Sequence, residues 1–426
     1  MRKNILLAAA FLVIAATSYA GGYRVALQGQ RALAMGHTGV AYVNSAELAF
    51  FNPAGLVYLE NRLNISAGVS AVFSDVAWQN SNYGQYADTD SPTGTPFYVY
   101  GSYAATDWLS VGLAVYTPYG SSVEYPTDWA GSHLVNNIEL SAIFFQPLAS
   151  IKINDKLSIG GGPIFVTGNV NFNRNANRTL SDIDGDRSNI TVDDSGVTNW
   201  GWSVGTLFNV TDNFRIGANY RSEIILDSKE GEATFSNFPN DSGQPIVVSP
   251  TTIIPSNGTT GFEASLPLPA ELTVGLSYDL GEKWTFNFDF SRTFWDVYEN
   301  LDINFSNGLE AFNPRNYENS STYKFGMEYV ANENFTLRAG YYFDQSPVQP
   351  GYFAPETPRN DANGFTGGLS FNVSDKFAID ASFLYLRFEE VKASYDYYTE
   401  NGQNVPFGGT YKSSAFIPGI GITYSL

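Results

Sequence analysis

From residue 266 to residue 291 the chain alternates with a period of two. Leu266, Leu268, Ala270, Leu272, Val274, Leu276 and Tyr278 are apolar at every even position, with Glu271, Thr273, Ser277 and Asp279 between them. After the turn Gly281-Glu282, residues Trp284, Phe286, Phe288 and Phe290 alternate with Thr285, Asn287, Asp289 and Ser291. Tyr323/Phe325/Met327/Tyr329 and Phe335/Leu337/Ala339/Tyr341/Phe343 repeat the pattern. Successive side chains of a strand point to opposite faces, so each segment carries one apolar and one polar face. The segments run ten residues or more. Strands of ordinary soluble sheets average about five or six, whereas a tilted strand crossing a bilayer needs about 9–11.

The connections divide into two kinds. Thr106-Asp107, Asn154-Asp155, Thr211-Asp212, Gly281-Glu282, Asn332-Glu333 and Ser374-Asp375 are tight polar turns. Between them lie long polar stretches near 79–96, 117–135, 173–197, 229–262, 293–320, 345–362 and 389–411. Six turns and seven loops imply fourteen antiparallel strands, both chain ends of the sheet on the tight-turn side. Short turns on one side and long loops on the other fit an all-β transmembrane barrel of the bacterial outer membrane, with the loops extracellular. Only helices and closed barrels cross a bilayer with the backbone satisfied, and no stretch of about 20 apolar residues is present. Aromatics near strand ends, among them Trp108, Trp284 and Tyr424, suit the interfacial girdles facing outer-membrane lipid.

The ends of the chain add a compartment. MRKNILLAAAFLVIAATSYA, residues 1–20, has a basic start, an apolar run and small residues at Ser18 and Ala20, the pattern of a cleaved secretory signal. Its loss removes Arg2 and Lys3 and moves the net charge from −19 to −21. So acidic a chain is no nucleic-acid partner. Cysteine is absent, which excludes disulfides, thiolate ligands and a cysteine nucleophile. The two histidines, His37 and His133, sit in no recognisable nucleophile or metal-ligand motif, so neither enzymatic activity nor any cofactor or metal is expected. The acidic runs SDIDGDR (181–187) and DSKEGE (227–232) read as solvated loop, with surface binding of divalent cations as the alternative.

A barrel of fourteen strands (61–426) leaves residues 21–60 outside the wall. That segment lacks alternation, is broken by six glycines and carries AFFNPAGLVYLE, two phenylalanines beside an Asn-Pro turn. A lumen of this width is not filled by wall side chains alone. The segment is therefore expected inside it, as a plug of turns and short helices.

GGYRVALQGQRALAMGHTGVAYVNSAELAFFNPAGL resembles the N-terminal hatch of the FadL/TodX family, outer-membrane transporters of long-chain fatty acids and other hydrophobic compounds. TPYGSSVEYPTDWAGSH (117–133), LPLPAELTVGLSYDL (266–280), SRTFWDVYENLDI (291–303) and YKFGMEYVANENFTLRAGYYFDQSPV (323–348) continue the resemblance along the mature chain. The resemblance implies passive, ligand-gated uptake of a hydrophobic small molecule by a single chain. The ligand would pass from an external groove to an internal pocket, then sideways through a gap beside a kinked strand. On that pattern Asn52, Pro53 and Ala54 would sit at the gate, and Tyr23 would contribute to the pocket. Gly112 in the third strand is the expected kink.

The remaining site expectations come from side-chain chemistry. Phe50, Phe51, Tyr116, Tyr119, Tyr125 and Trp129 would supply apolar contacts, or else only pack the loops together. For a carboxylate, strand parity selects Arg215, Arg221, Lys324 and Arg338 as inward-pointing cations, each able to pair instead with inward acids such as Glu223 or Glu328. An aromatic-hydrocarbon carrier of the same fold would need no such cation. A general porin for hydrophilic solutes and a surface adhesin using the long loops are the readings from other classes. Pro147, Pro163 and Pro418 fall inside expected strands and mark kinks or bulges. The terminal residue, Leu426, is not the usual aromatic.

Overall fold

In a computed structural model, residues 22–250 and 252–426 are described; the secretory signal expected at residues 1–20 lies outside them. Fourteen antiparallel strands form a closed barrel. They are β1 (Leu63–Ser70, then Phe73–Asn80), β2 (Gln85–Asp88, then Phe97–Thr106), β3 (Leu109–Glu124) and β4 (Asn137–Lys152). Next come β5 (Leu157–Asn175), β6 (Asn189–Thr211), β7 (Phe214–Arg221, then Ile224–Ser236) and β8 (Gly258–Leu268, then Glu271–Leu280). The ring continues through β9 (Trp284–Thr293), β10 (Ser320–Val330), β11 (Phe335–Asp344), β12 (Ala362–Ser374), β13 (Phe377–Phe388) and β14 (Phe407–Ser425). It closes where β1 pairs with β14, the amides of Leu63 and Leu426 each donating to the other's carbonyl at 2.8 Å. No described helix is long and apolar enough to cross a membrane.

The period-two pattern sorts side chains as the sequence requires. On β9, Phe286 is 41% exposed on the outer face while Asp289 and Ser291 are buried at 1% and 0%. Several strands extend past the lipid belt toward the loops. β3 runs to Glu124, and β5 and β6 reach Asn175 and Asn189, so 117–135 and 173–197 are loops only in part. These extensions are polar because water covers their outer face, and that polarity mimics loop. Pro418 carries its own explanation: its carbonyl accepts the amide of Ala71 at the break in β1.

Residues 22–59 are held against inward-facing groups around the ring. One-turn helices α1 (Gln30–Leu33) and α2 (Leu48–Phe51) precede a 3₁₀ turn, Pro53–Tyr58. Glu47 caps α1, accepting the amides of Arg31 (3.1 Å) and Ala32 (3.0 Å). Arg31 pairs with Asp380 on β13 at 3.0 Å, and Gly36 N–H donates to Thr366 on β12 at 2.8 Å. Gly39 and Val40 both donate to Asp289 on β9, at 2.8 and 3.2 Å. Across the lumen, Ser150 of β4 and Ser158 of β5 donate to the Ala54 carbonyl at 3.0 and 2.6 Å.

Wall glycines mark where this segment touches. A Cβ on Gly160 would lie 2.7 Å from Ala54 N, and one on Gly340 would collide with the backbone of Met35 and Gly36. Gly36 itself has φ +69°, a conformation glycine adopts without cost. Gly340→Val should therefore displace the segment at a cost of about 1–3 kcal/mol. Heat-modifiable gel migration should show an assembled barrel, while protease cleavage within 22–60 accelerates.

Candidate functional site

The wall ladder breaks between β2 and β3. Pairing is continuous from Leu109 to Tyr116, then shifts register at Thr117-Pro118. Beyond that point β3 leaves β2 and takes a new partner. Val25 N–H donates to the Pro118 carbonyl (2.8 Å) and Gly120 N–H to the Tyr23 carbonyl (3.1 Å), with an isolated bridge between Arg24 and Tyr119. The start of the N-terminal segment thus stands in for β2. Residues 91–96 and 118–123 form no ladder pair with each other, and contact resumes where Asp90 N–H donates to the Glu124 carbonyl at 3.0 Å. Gly112 pairs normally on both sides, with Ser102 and Leu148. The kink expected there falls instead at Pro118, which has no amide to donate and so ends the ladder.

Two cavities meet at this segment. The larger, with about 1330 Å³ of unfilled space, lies toward the loops. Leu140, Val170, Phe172, Leu226, Phe262 and Leu266 give it apolar walls, and Tyr23 reaches it from below. The Tyr23 hydroxyl donates to the Pro267 carbonyl, and its ring packs edge-on against Trp295 (5.0 Å) and Tyr298 (5.6 Å). Polar groups gather at one side. Arg315 forms an ion pair with Glu356 and donates to the Tyr395 hydroxyl at 3.0 Å. Arg174 donates to the His133 carbonyl at 3.1 Å and has no ion pair among the described residues, though Arg315 and Glu356 are near enough to act on it. Two arginines against one glutamate leave one net positive charge in an otherwise apolar slot.

The smaller cavity, with about 490 Å³ of unfilled space, lies beneath and is polar. Arg24, Arg221, Lys324 and Glu271 line it beside Phe50, Phe51, Pro118 and Tyr119. Arg24 pairs with Glu271, and with Asp344 at 3.3 Å. Arg221 donates to the Phe50 carbonyl (3.1 Å) and lies 4.3 Å over the Phe50 ring. A cation over an aromatic face is attracted to it. Neither Arg221 nor Lys324 makes an ion pair among the described residues.

Residues 11–426 match the family model described as outer membrane protein transport protein (OMPP1/FadL/TodX). The chain belongs to that family. A long-chain fatty acid transport protein of Salmonella typhi is 22% identical over 408 residues, covering 91% of this chain and 92% of the relative. Among solved structures, a Pseudomonas aeruginosa FadL homologue superposes with a TM-score of 0.82 at 17% identity, over 95% of this chain and 100% of that one. The Pseudomonas putida toluene transporter TodX gives 0.71 at 18%, over 96% and 99%. The FadL/TodX family is one of outer-membrane transporters of hydrophobic compounds, and the bacterial outer membrane is where this barrel resides.

Tyr23 lines the apolar cavity, while Phe50, Phe51 and Tyr119 line the polar one. Tyr116 is wedged between Phe50 (5.2 Å) and Phe144 (5.4 Å) and donates to Gln146. Trp129 stacks on Tyr125 at 4.0 Å and donates to the Val135 carbonyl, joining loops and lining neither cavity. Asn52 donates to the carbonyls of Val40 (2.8 Å) and Thr206 (3.0 Å), and accepts from Ala54 N–H. Asn52, Pro53 and Ala54 therefore rest on β4–β7, away from the break at Pro118, which Phe50 and Phe51 approach beside them.

Of the four expected carboxylate partners, Arg215 and Arg338 already hold Asp279 and Glu328, each at 2.7 Å. Arg221 and Lys324 reach the polar cavity. Arg174 and Arg315 were not singled out by the sequence. No local pattern in the sequence marks them, because one stands at a strand end and the other in a long loop.

His133 gives the loop cluster a pH dependence. Burial, with Arg174, Arg178 and Arg187 nearby, lowers it to about 3, and its ring packs on Tyr398 (4.6 Å) and Phe407 (5.4 Å). The folded state binds fewer protons than the unfolded one, so this stability is present above about pH 6.5 and fades as pH falls toward the folded value. Protease cleavage within 389–411 should quicken between pH 7 and pH 4, and His133→Phe should blunt the change.

Proposed function

We propose that the protein takes up long-chain fatty acids by passive diffusion, as a single chain, with residues 22–60 acting as the hatch. The observation that carries this reading is the apolar cavity with one net positive charge at its side. A fatty acid asks for that combination, a dry slot for the alkyl chain and one cation for the carboxylate. Arg174 and Arg315 are the residues assigned to the carboxylate. Arg221 and Lys324 in the polar cavity are the next station on the way past Tyr23. The break at Thr117–Pro118 then offers exit into the bilayer, because an apolar solute leaves more readily sideways into lipid than onward into water. In this reading the ligand's own gradient supplies the drive.

The name of the Salmonella typhi relative supports a fatty acid, and that of TodX supports an aromatic hydrocarbon. Phe172, Phe262 and Phe305 on the cavity wall favour the second ligand, which needs no cation. Uptake of labelled oleate and labelled toluene by a host lacking its own transporter separates the two. For the fatty acid reading, Arg174→Ala and Arg315→Ala should each lower oleate uptake about tenfold, the worth of one charge-assisted hydrogen bond. Toluene uptake should stay within about twofold of the parent because toluene presents no charge to them. Equal loss of both would remove the carboxylate role, and toluene uptake alone would leave the hydrocarbon reading.

A further inference from the structure

We propose that the barrel has a second lateral portal, between β6 and β7, through which the apolar cavity exchanges hydrophobic molecules directly with the bilayer. The inference rests on the transport reading above. It comes from a seam that the Pro118 break does not involve. From the tight-turn end, β6 and β7 pair regularly up to Ser203 and Arg221. The next ladder pair is Asp193 with Glu232. Between these points residues 194–202 keep their ladder with β5 alone, and from Ile224 the other strand keeps its ladder with β8 alone.

Backbone groups of the seam that face lipid need partners. At the seam they are met by a few polar contacts. Ser222 N–H donates to the Trp202 carbonyl (2.9 Å), Trp202 N–H to the Ser222 hydroxyl (3.0 Å) and the Asn199 amide to the Ile225 carbonyl (2.6 Å). The Ser228 hydroxyl donates to Asp194 higher up. What fills the space is side chain. Ile224 lies over Gly201, where a Cβ would come within 2.5 Å of Ile224 Cδ1, and Leu226 lies 2.7 Å from the corresponding point on Gly168.

Both sides of the seam suit a hydrophobe. Leu226, Gly168 and Val197 line the apolar cavity within. Trp200 and Trp202 stand outside, 63% and 49% exposed, in an aromatic row with Phe165 and Tyr220. A continuous ladder costs several hydrogen bonds to part, whereas moving two aliphatic side chains between an apolar cavity and lipid leaves them in apolar surroundings throughout. Ile224 and Leu226 therefore form the door, and the two glycines form its frame.

A reversible staple tests this. The Gly201 and Ile224 Cβ positions fall within about 4 Å of each other, inside the range of a disulfide, and the chain has no other cysteine. Gly201→Cys with Ile224→Cys should assemble normally by heat-modifiable migration. Oxidation should lower uptake of labelled oleate, or of toluene if that is the ligand carried, by about fivefold or more, and reduction should restore it. Leu226→Ala, which unblocks the door without a staple, should raise uptake about twofold or more. Equal rates for oxidised and reduced protein, with the parent active, would overturn the portal and leave the transport reading standing. A parent that carries neither probe would remove the transport reading and the portal with it. If the double variant fails to assemble, Leu226→Ala decides alone, and an unchanged rate overturns the proposal.

Discussion

In hydrocarbon every backbone amide and carbonyl must find its partner inside the protein, and this rule organises the molecule. It forces the sheet to close, which the exchange between Leu63 and Leu426 accomplishes. It also makes any interruption conspicuous, since a parted ladder must be repaired by something. Between β2 and β3 the repair is the backbone of Tyr23–Val25, added along the freed edge of β3. Between β6 and β7 it is a handful of serine and asparagine side chains plus two aliphatic ones. The first repair ties the wall to the N-terminal segment. The second leaves the seam independent of that segment.

The N-terminal segment packs Leu48, Phe50, Phe51 and Leu56 against wall residues such as Tyr100, Tyr116 and Leu148, and polar contacts fix its register. Arg24 with Glu271 and Asp344, Arg31 with Asp380, and Asp289 with the amides of Gly39 and Val40 are its rivets. Buried ion pairs contribute little net stability but penalise misplacement heavily, since a lone buried charge is costly. They therefore set register. The glycines at 160, 326 and 340 let backbone meet backbone, which keeps that register tight.

The division of the lumen into an apolar and a polar cavity follows from the same economy. Near the tight turns the inner wall is small and polar, as at Ser150, Ser158 and Asp380, to receive the segment's backbone. Toward the loops the inner face turns apolar, with Leu140, Val170 and Leu226. Tyr23 stands at the boundary, its hydroxyl on a wall carbonyl and its ring in an aromatic cluster.

The sequence by itself determined the strand number, the closure and which face of each strand meets lipid. All three follow from a period of two and from alternating connection lengths, which are local properties. It also determined that Arg221, Lys324 and Arg338 point inward, because parity is carried by every residue of a strand. Tertiary structure alone decided which cations are already paired, as with Arg338 on Glu328, and which reach a cavity. It decided too that β3 parts at Pro118 rather than Gly112: a glycine inside an unbroken ladder and one beside a kink look alike until the neighbouring strand is in place. The grouping of Arg174, Arg315 and Glu356 was equally beyond the sequence. Those residues come from a strand end and two different loops, and only closure of the barrel brings them together.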